Sequence, residues 1–141
     1  LDAVLDGVLE ELAAPLRARN LSVRRDAVAG VPSAPAGLVR IVLRNVLENA
    51  VRHSPEGGII GVTALEDGGV GVRIDDQGPG LDAEQRRRAL DRGWRGHGGG
   101  RGLGLAIVTT IMARTDGRVA LAAAPGGGLR VRVSWPSADS A

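Results

Sequence analysis

The sequence predicts an α+β sandwich: a mixed, mostly antiparallel sheet of about five strands, with three helices on one face. Two observations carry this. Segments with helical and strand periodicity do not alternate strictly along the chain. Two pairs of short strand-like segments are joined by glycine-rich turns and read as hairpins.

From the N-terminus, Leu1 to Arg19 places Val4, Leu5, Val8, Leu9, Leu12 and Leu16 at helical spacing, with Pro15 expected to kink or end the helix. Leu21 to Val28 alternates apolar and polar residues, as a short strand does. Val31 to Pro35 holds two prolines and reads as a loop. Gly37 to His53 is the strongest helix, with Val39, Leu43, Val46, Leu47 and Ala50 on one stripe. Ile59 to Leu65 and Val70 to Asp75 form the first hairpin, turning at Asp67-Gly68-Gly69. Asp82 is placed to cap a short polar helix running to Ala89. Gly96 to Gly102 reads as a flexible loop. Leu103 to Arg114 is an apolar helix stopped by Asp116-Gly117. Arg118 to Ala124 and Leu129 to Trp135 form the second hairpin, across Pro125 to Gly128. The domain is expected to occupy residues 1–136, and residues 137–141 to form a disordered tail.

Composition narrows the function. The chain has 141 residues, which suffices for one core. All 18 basic residues are Arg, and the absence of Lys excludes both the Walker-type phosphate loop and the strand lysine of eukaryotic-type protein kinases. With no Cys, thiolate metal sites and thiol nucleophiles are excluded. Arg in place of Lys raises the pI to 10.8 while the net charge is only +2, so the pI is no footprint of nucleic acid. No apolar run reaches the length of a membrane span. The chain opens inside a helix and reads as part of a longer protein.

Three constellations carry chemistry. Asn45, Asn49 and Arg52 recur at i, i+4 and i+7, on one helix face. The two amide carbonyl oxygens suit a hard cation and the guanidinium suits phosphate, although on composition alone a solvated helix face is the favoured reading. In Val70-Gly-Val-Arg-Ile-Asp-Asp76-Gln-Gly78-Pro-Gly80 a strand delivers a carboxylate to a glycine turn. There it can accept from an exocyclic amine while backbone approaches a flat base. An ordinary turn is the alternative. A loose dinucleotide fingerprint over Gly78 to Ala83 fails, because the following helix is too polar to pack on a parallel sheet. In Gly100-Arg101-Gly102-Leu103-Gly104-Leu105, glycines run into an apolar helix start, which suits an anion site to which Arg95 and Arg101 add charge; the alternative is a flexible linker before a core helix, which would not need Gly102 and Gly104 at the helix start.

The order and spacing of these motifs resemble the catalytic ATP-binding domain of bacterial sensor histidine kinases, within the superfamily that includes type II topoisomerase, Hsp90 and MutL-type ATPases. The resemblance covers nearly the whole chain. It implies the Bergerat ATP-binding fold, with ATP and Mg²⁺ as ligands. Asn49 takes the place of the Mg²⁺ ligand and Asn45 stands beside the phosphates. Arg52 occupies the basic position near the γ-phosphate, and Arg95 is expected to act with Asn45 and Arg52 in catalysis. His53 sits where an aromatic residue meets adenine, and Asp76 partners the adenine amino group. Gly78 and Gly80 shape that pocket, and Gly100, Arg101, Gly102, Leu103 and Gly104 form the phosphate side. The chain departs from the family in three places. Leu90 to Arg95 lacks the usual Phe, the Gly96 to Gly99 lid is short, and Leu129 stands where Thr or Ser is common.

The resemblance further implies transfer of the γ-phosphoryl group to a histidine on an upstream dimerisation domain. A downstream response regulator, a membrane-anchored parent and a cytoplasmic, monomeric fragment are also implied. Neither His53 nor His97 is the acceptor. The ATPase branches carry a Glu one turn before the metal-binding Asn; Asn45 stands there, and a neutral amide is no general base, so hydrolysis should be slow. Glu48 lies off that helix line and is given no catalytic role. A serine kinase of the anti-sigma type and a non-catalytic nucleotide-sensing module are the competing readings. A nucleic-acid binder would rest on Arg content alone.

Overall fold

The computed structural model describes residues 1–66, 68–90 and 105–139. In chain order these form α1 (Asp2–Glu11), α2 (Ala13–Ala18), β1 (Ser22–Arg25), α3 (Ala36–His53), β2 (Ile59–Ala64), β3 (Val70–Asp75), α4 (Ala83–Ala89), α5 (Leu105–Arg114), β4 (Arg118–Ala123) and β5 (Leu129–Trp135). The five strands make one sheet in the order β1-β2-β3-β5-β4. Among the described strands only β1 and β2 run parallel, and the connection through α3 is the long crossover that a parallel pair needs. The other neighbours are antiparallel.

Register explains why the helices gather on one face. Val62 opposes Ile74, Val72 opposes Val133 and Ile74 opposes Val131, so these β-branched residues point to the same side. Leu5 and Val8 of α1, Leu43, Val46 and Leu47 of α3, and Leu105, Val108 and Met112 of α5 close over them in one core. Each buried Leu or Val contributes roughly 1.5–3 kcal/mol. With no Phe or Tyr in the chain, the core among the described residues is aliphatic except for Trp135, whose Nε1 donates to Thr115 Oγ1 at 3.0 Å.

The first helix breaks at Leu12, three residues before Pro15. Pro15 has no N–H, and its ring would clash with the carbonyl of Glu11 four residues back, so α1 ends there and Pro15 falls in the first turn of α2. The strand expected to reach Val28 stops at Arg25. Beyond it the chain turns to α1, where Val28 N donates to Asp2 Oδ1 at 2.9 Å. Asp82 caps α4 in a full capping box with Gln85. At the end of α5 Asp116 takes a left-handed φ of 56°. Order continues past Pro136: Ser33 N donates to Pro136 O at 2.9 Å and Ala138 N to Val31 O at 2.8 Å, so the first residues of the expected tail are held. The whole of the expected glycine loop and the start of the helix after it fall within residues 91–104, which lie outside the described residues, as do residue 67 and residues 140–141.

Candidate nucleotide site

The α3 helix ends at His53 beside the turn that follows β3. This junction gathers most of the predicted residues that are described. Gly78 makes it possible: a Cβ there would lie 2.3 Å from His53 O, so only glycine lets the turn touch the helix end. From the other side Arg19 Nη1 donates to Arg52 O at 2.9 Å and its Nη2 donates to Ser54 O. Ser54 Oγ donates to Ala50 O at 2.7 Å and closes the last turn.

Asp76 is 4% exposed. Its Oδ1 accepts from Gly78 N at 2.9 Å and from Leu129 N at 3.0 Å. Both bonds fall on Oδ1, and no bond to Oδ2 is made among the described residues. Burial raises the Asp76 pKa above the usual carboxylate value; the two backbone N–H bonds and nearby His53 act against that shift, and Asp75 adds to it. Burial lowers the His53 pKa, opposed by Asp76 and assisted by Arg52 and Arg19. A neutral imidazole next to a fixed carboxylate is suited to packing on a flat base while the carboxylate takes an amine hydrogen bond.

Asn49 is 3% exposed and its Oδ1 is buried without a hydrogen-bond partner. An orphaned buried carbonyl costs roughly 1–3 kcal/mol unless something outside the chain satisfies it. An amide oxygen held in this way has the chemistry of a ligand to a hard cation. One turn earlier, Asn45 Nδ2 donates to Ile41 O at 2.7 Å. That bond fixes the amide and directs its carbonyl oxygen away from the helix backbone. Arg52 is exposed, and its Nη2 lies 3.6 Å from Glu48 Oε1. Glu48 also meets Arg44 at 3.5 Å, so it serves the charge row on α3. Gly80, at φ +69°, passes Gly127 O so closely that a Cβ would lie 2.2 Å from it.

Three contributors escaped the sequence reading. Gly128 was read only as part of a hairpin turn, yet a Cβ there would lie 1.9 Å from Asp76 O. Leu129 stands in the sequence as a strand start and as a departure from the family, yet its N–H holds Asp76. Gln77 Oε1 accepts from Ile59 N at 2.7 Å and ties the turn to β2. The run of three glycines before a strand was the available signal for the first. The other two are backbone and long-range contacts that no local pattern reports. Arg95, Gly100, Arg101, Gly102, Leu103 and Gly104 lie outside the described residues.

The family described as histidine kinase-, DNA gyrase B- and HSP90-like ATPases matches residues 35–139. The chain belongs to that family. Within it, the chain corresponds to the ATP-binding catalytic domain of sensor histidine kinases. It is 36% identical over 114 residues to the sensor protein BasS of Escherichia coli K12, covering 79% of this chain and 29% of that protein. It is 38% identical over 101 residues to the sensor protein QseC of the same strain, covering 70% of this chain and 22% of that protein. The chain thus spans less than a third of the length of these relatives. Among solved structures, the mycobacterial sensor histidine kinase MprB superposes with a TM-score of 0.83 at 28% identity, covering 96% of this chain and 94% of that one. Full-length ShkA in complex with AMPPNP gives a TM-score of 0.83 at 28% identity, covering 99% of this chain and 30% of that one. No helix among the described residues is long and apolar enough to cross a membrane.

Proposed function

We propose that the domain binds Mg²⁺-ATP and passes the γ-phosphoryl group to a histidine on a separate helical dimerisation domain of the same parent protein. The parent would be a membrane-anchored sensor acting on a response regulator, with this domain cytoplasmic and monomeric by itself. The observation that carries the reading is the pairing at one helix end of a buried, backbone-held Asp76 with a buried, orphaned Asn49 Oδ1.

Asp76 Oδ2 would accept from the adenine amino group, and His53 would pack on the ring. Gly78 and Gly80 let backbone close on its edge. Asn49 Oδ1 would bind Mg²⁺, with Asn45 alongside; bound Mg²⁺ would neutralise phosphate charge. Arg52 and Arg95 would bind the γ-phosphate, and Gly100, Arg101, Gly102, Leu103 and Gly104 would cradle the remaining phosphates. Phosphoryl transfer asks chiefly for such positioning and charge neutralisation. The γ-phosphorus bond to the bridging oxygen breaks, a bond to an imidazole nitrogen forms, and ADP departs. The amide at Asn45 cannot take a proton from water, which keeps hydrolysis slow.

The test is to incubate the chain with γ-labelled ATP and the purified helical domain of the parent. Label that is acid-labile and base-stable, and that vanishes with Asn49→Ala, supports the reading. Acid-stable label would point to a serine acceptor and refute it.

A further inference from the structure

The sheet face away from the helices is strongly basic. Alternation puts Arg24, Arg73, Arg118, Arg130 and Arg132 on it, and among the strand residues of that face Asp75 is the single carboxylate. Five arginines against one aspartate exceed the net charge of the whole chain, +2. Asp75 is committed to Arg130, with Nε–Oδ1 at 2.7 Å and Nη2–Oδ2 at 3.1 Å. It reaches Arg73 Nε only as an ion pair at 3.3 Å, and that nitrogen is buried with no hydrogen-bond partner.

Arg73 lies directly opposite Arg132 in the ladder. Like charges at opposed positions destabilise a sheet. Arg132 is exposed, and like Arg24 and Arg118 it makes no ion pair among the described residues. The neighbours are small: Gly61, Gly71, Ala120 and Ala122 leave the face flat enough for another surface to approach.

We propose that this face docks an acidic polypeptide segment, with one of its carboxylates seated between Arg73 and Arg132. The side-chain chemistry selects this partner. Guanidinium binds carboxylate in a planar, bidentate manner and is less strongly hydrated than ammonium, which favours protein interfaces. The face has no aromatic residue on which nucleic-acid bases could stack. Apart from Ile59 at its margin, its strand residues include no large aliphatic side chain to insert into a lipid surface.

The experiment measures anisotropy of a fluorescein-labelled peptide of alternating Glu and Ser, at low and high salt. Three forms of the 141-residue chain are compared: wild type, Arg118→Glu with Arg132→Glu, and Arg17→Glu with Arg114→Glu. The last pair carries the same charge change on exposed helical sites. Thermal melts and AMPPNP affinity verify that each form is folded. The proposal expects salt-sensitive binding that weakens about tenfold or more in the sheet-face variant and less than about twofold in the helical one. Equal weakening in both would reduce the effect to net charge and overturn the proposal. So would absence of peptide binding by the wild type, or tighter binding of duplex DNA or phosphatidylserine vesicles at the same face.

Discussion

Replacing Asp76 with Asn separates the binding role of this side chain from its structural one. In the native chain Oδ1 accepts two backbone N–H bonds, from Gly78 and Leu129. An Asn can keep both only by leaving its carbonyl oxygen there. Flipping the amide would strand two buried N–H groups at about 1–3 kcal/mol each. The Nδ2 donor is therefore forced to face the ligand, where the adenine amino group also donates. The lost charge-assisted hydrogen bond is worth about 1.5–3 kcal/mol, which is roughly a 10- to 150-fold loss of affinity, and donor–donor repulsion adds to it.

Stability moves the other way. Burial raises the Asp76 pKa in the folded chain, so the folded state binds the proton more tightly than the unfolded one. The contribution of this group to stability is fully present below the ordinary carboxylate pKa. It is lost as pH rises through the raised value. Above that window the ionised group is a liability that Asn removes. Asp76→Asn should therefore melt no lower than wild type at neutral pH and should lack that part of the pH slope. Wild-type affinity for AMPPNP should fall as pH drops through the raised pKa. Calorimetry and pH-dependent thermal melts read these effects. AMPPNP affinity within about twofold of wild type, or a markedly lower melting temperature at neutral pH, would refute the reasoning.

Three further outcomes are expected. Asn49→Ala removes an orphaned buried acceptor and a poor helix former, so the melting temperature should not fall, while the Mg²⁺-dependent part of AMPPNP affinity disappears in calorimetry. Gly128→Ala drives a Cβ to 1.9 Å from Asp76 O, so denaturant unfolding should show a loss of about 1–3 kcal/mol and titration a weakened nucleotide affinity. Arg132→Glu alone turns a like-charge pair with Arg73 into an opposite one, and should raise stability by about 0.2–1 kcal/mol at low salt, with the gain shrinking at high salt.

The elements were legible where periodicity was strong. The stripe from Val39 to Ala50 and the alternation in Val70 to Asp75 each report a buried face, and those elements formed as expected. Boundaries moved where a local clash or a long-range contact decides. Pro15 acts on the carbonyl of Glu11, so the break came earlier than the proline. Ser33 and Val31 capture the chain after Pro136, which composition does not reveal. At the site, Asp76 and Gly78 stood out in the sequence as a strand-end carboxylate followed by a glycine turn, a pattern that an ordinary turn also shows; the burial of Asp76 and its long-range bond to Leu129 N come only from the fold. Gly128 and Leu129 did not stand out, because their part depends on the β3–β5 register, which sets them against Asp76 from 52 and 53 residues away. Asn49 shows the limit in the other direction. Its spacing from Asn45 was visible, but only the fold shows that its Oδ1 is buried and unsatisfied.

The most direct test of the account is calorimetry of AMPPNP binding to the unaltered chain, with Mg²⁺ and then with the metal chelated. The account predicts saturable binding at one site per chain that weakens clearly when Mg²⁺ is withdrawn. Binding of equal strength with and without the metal would contradict the role assigned to Asn49, and no binding in either condition would contradict the nucleotide site itself.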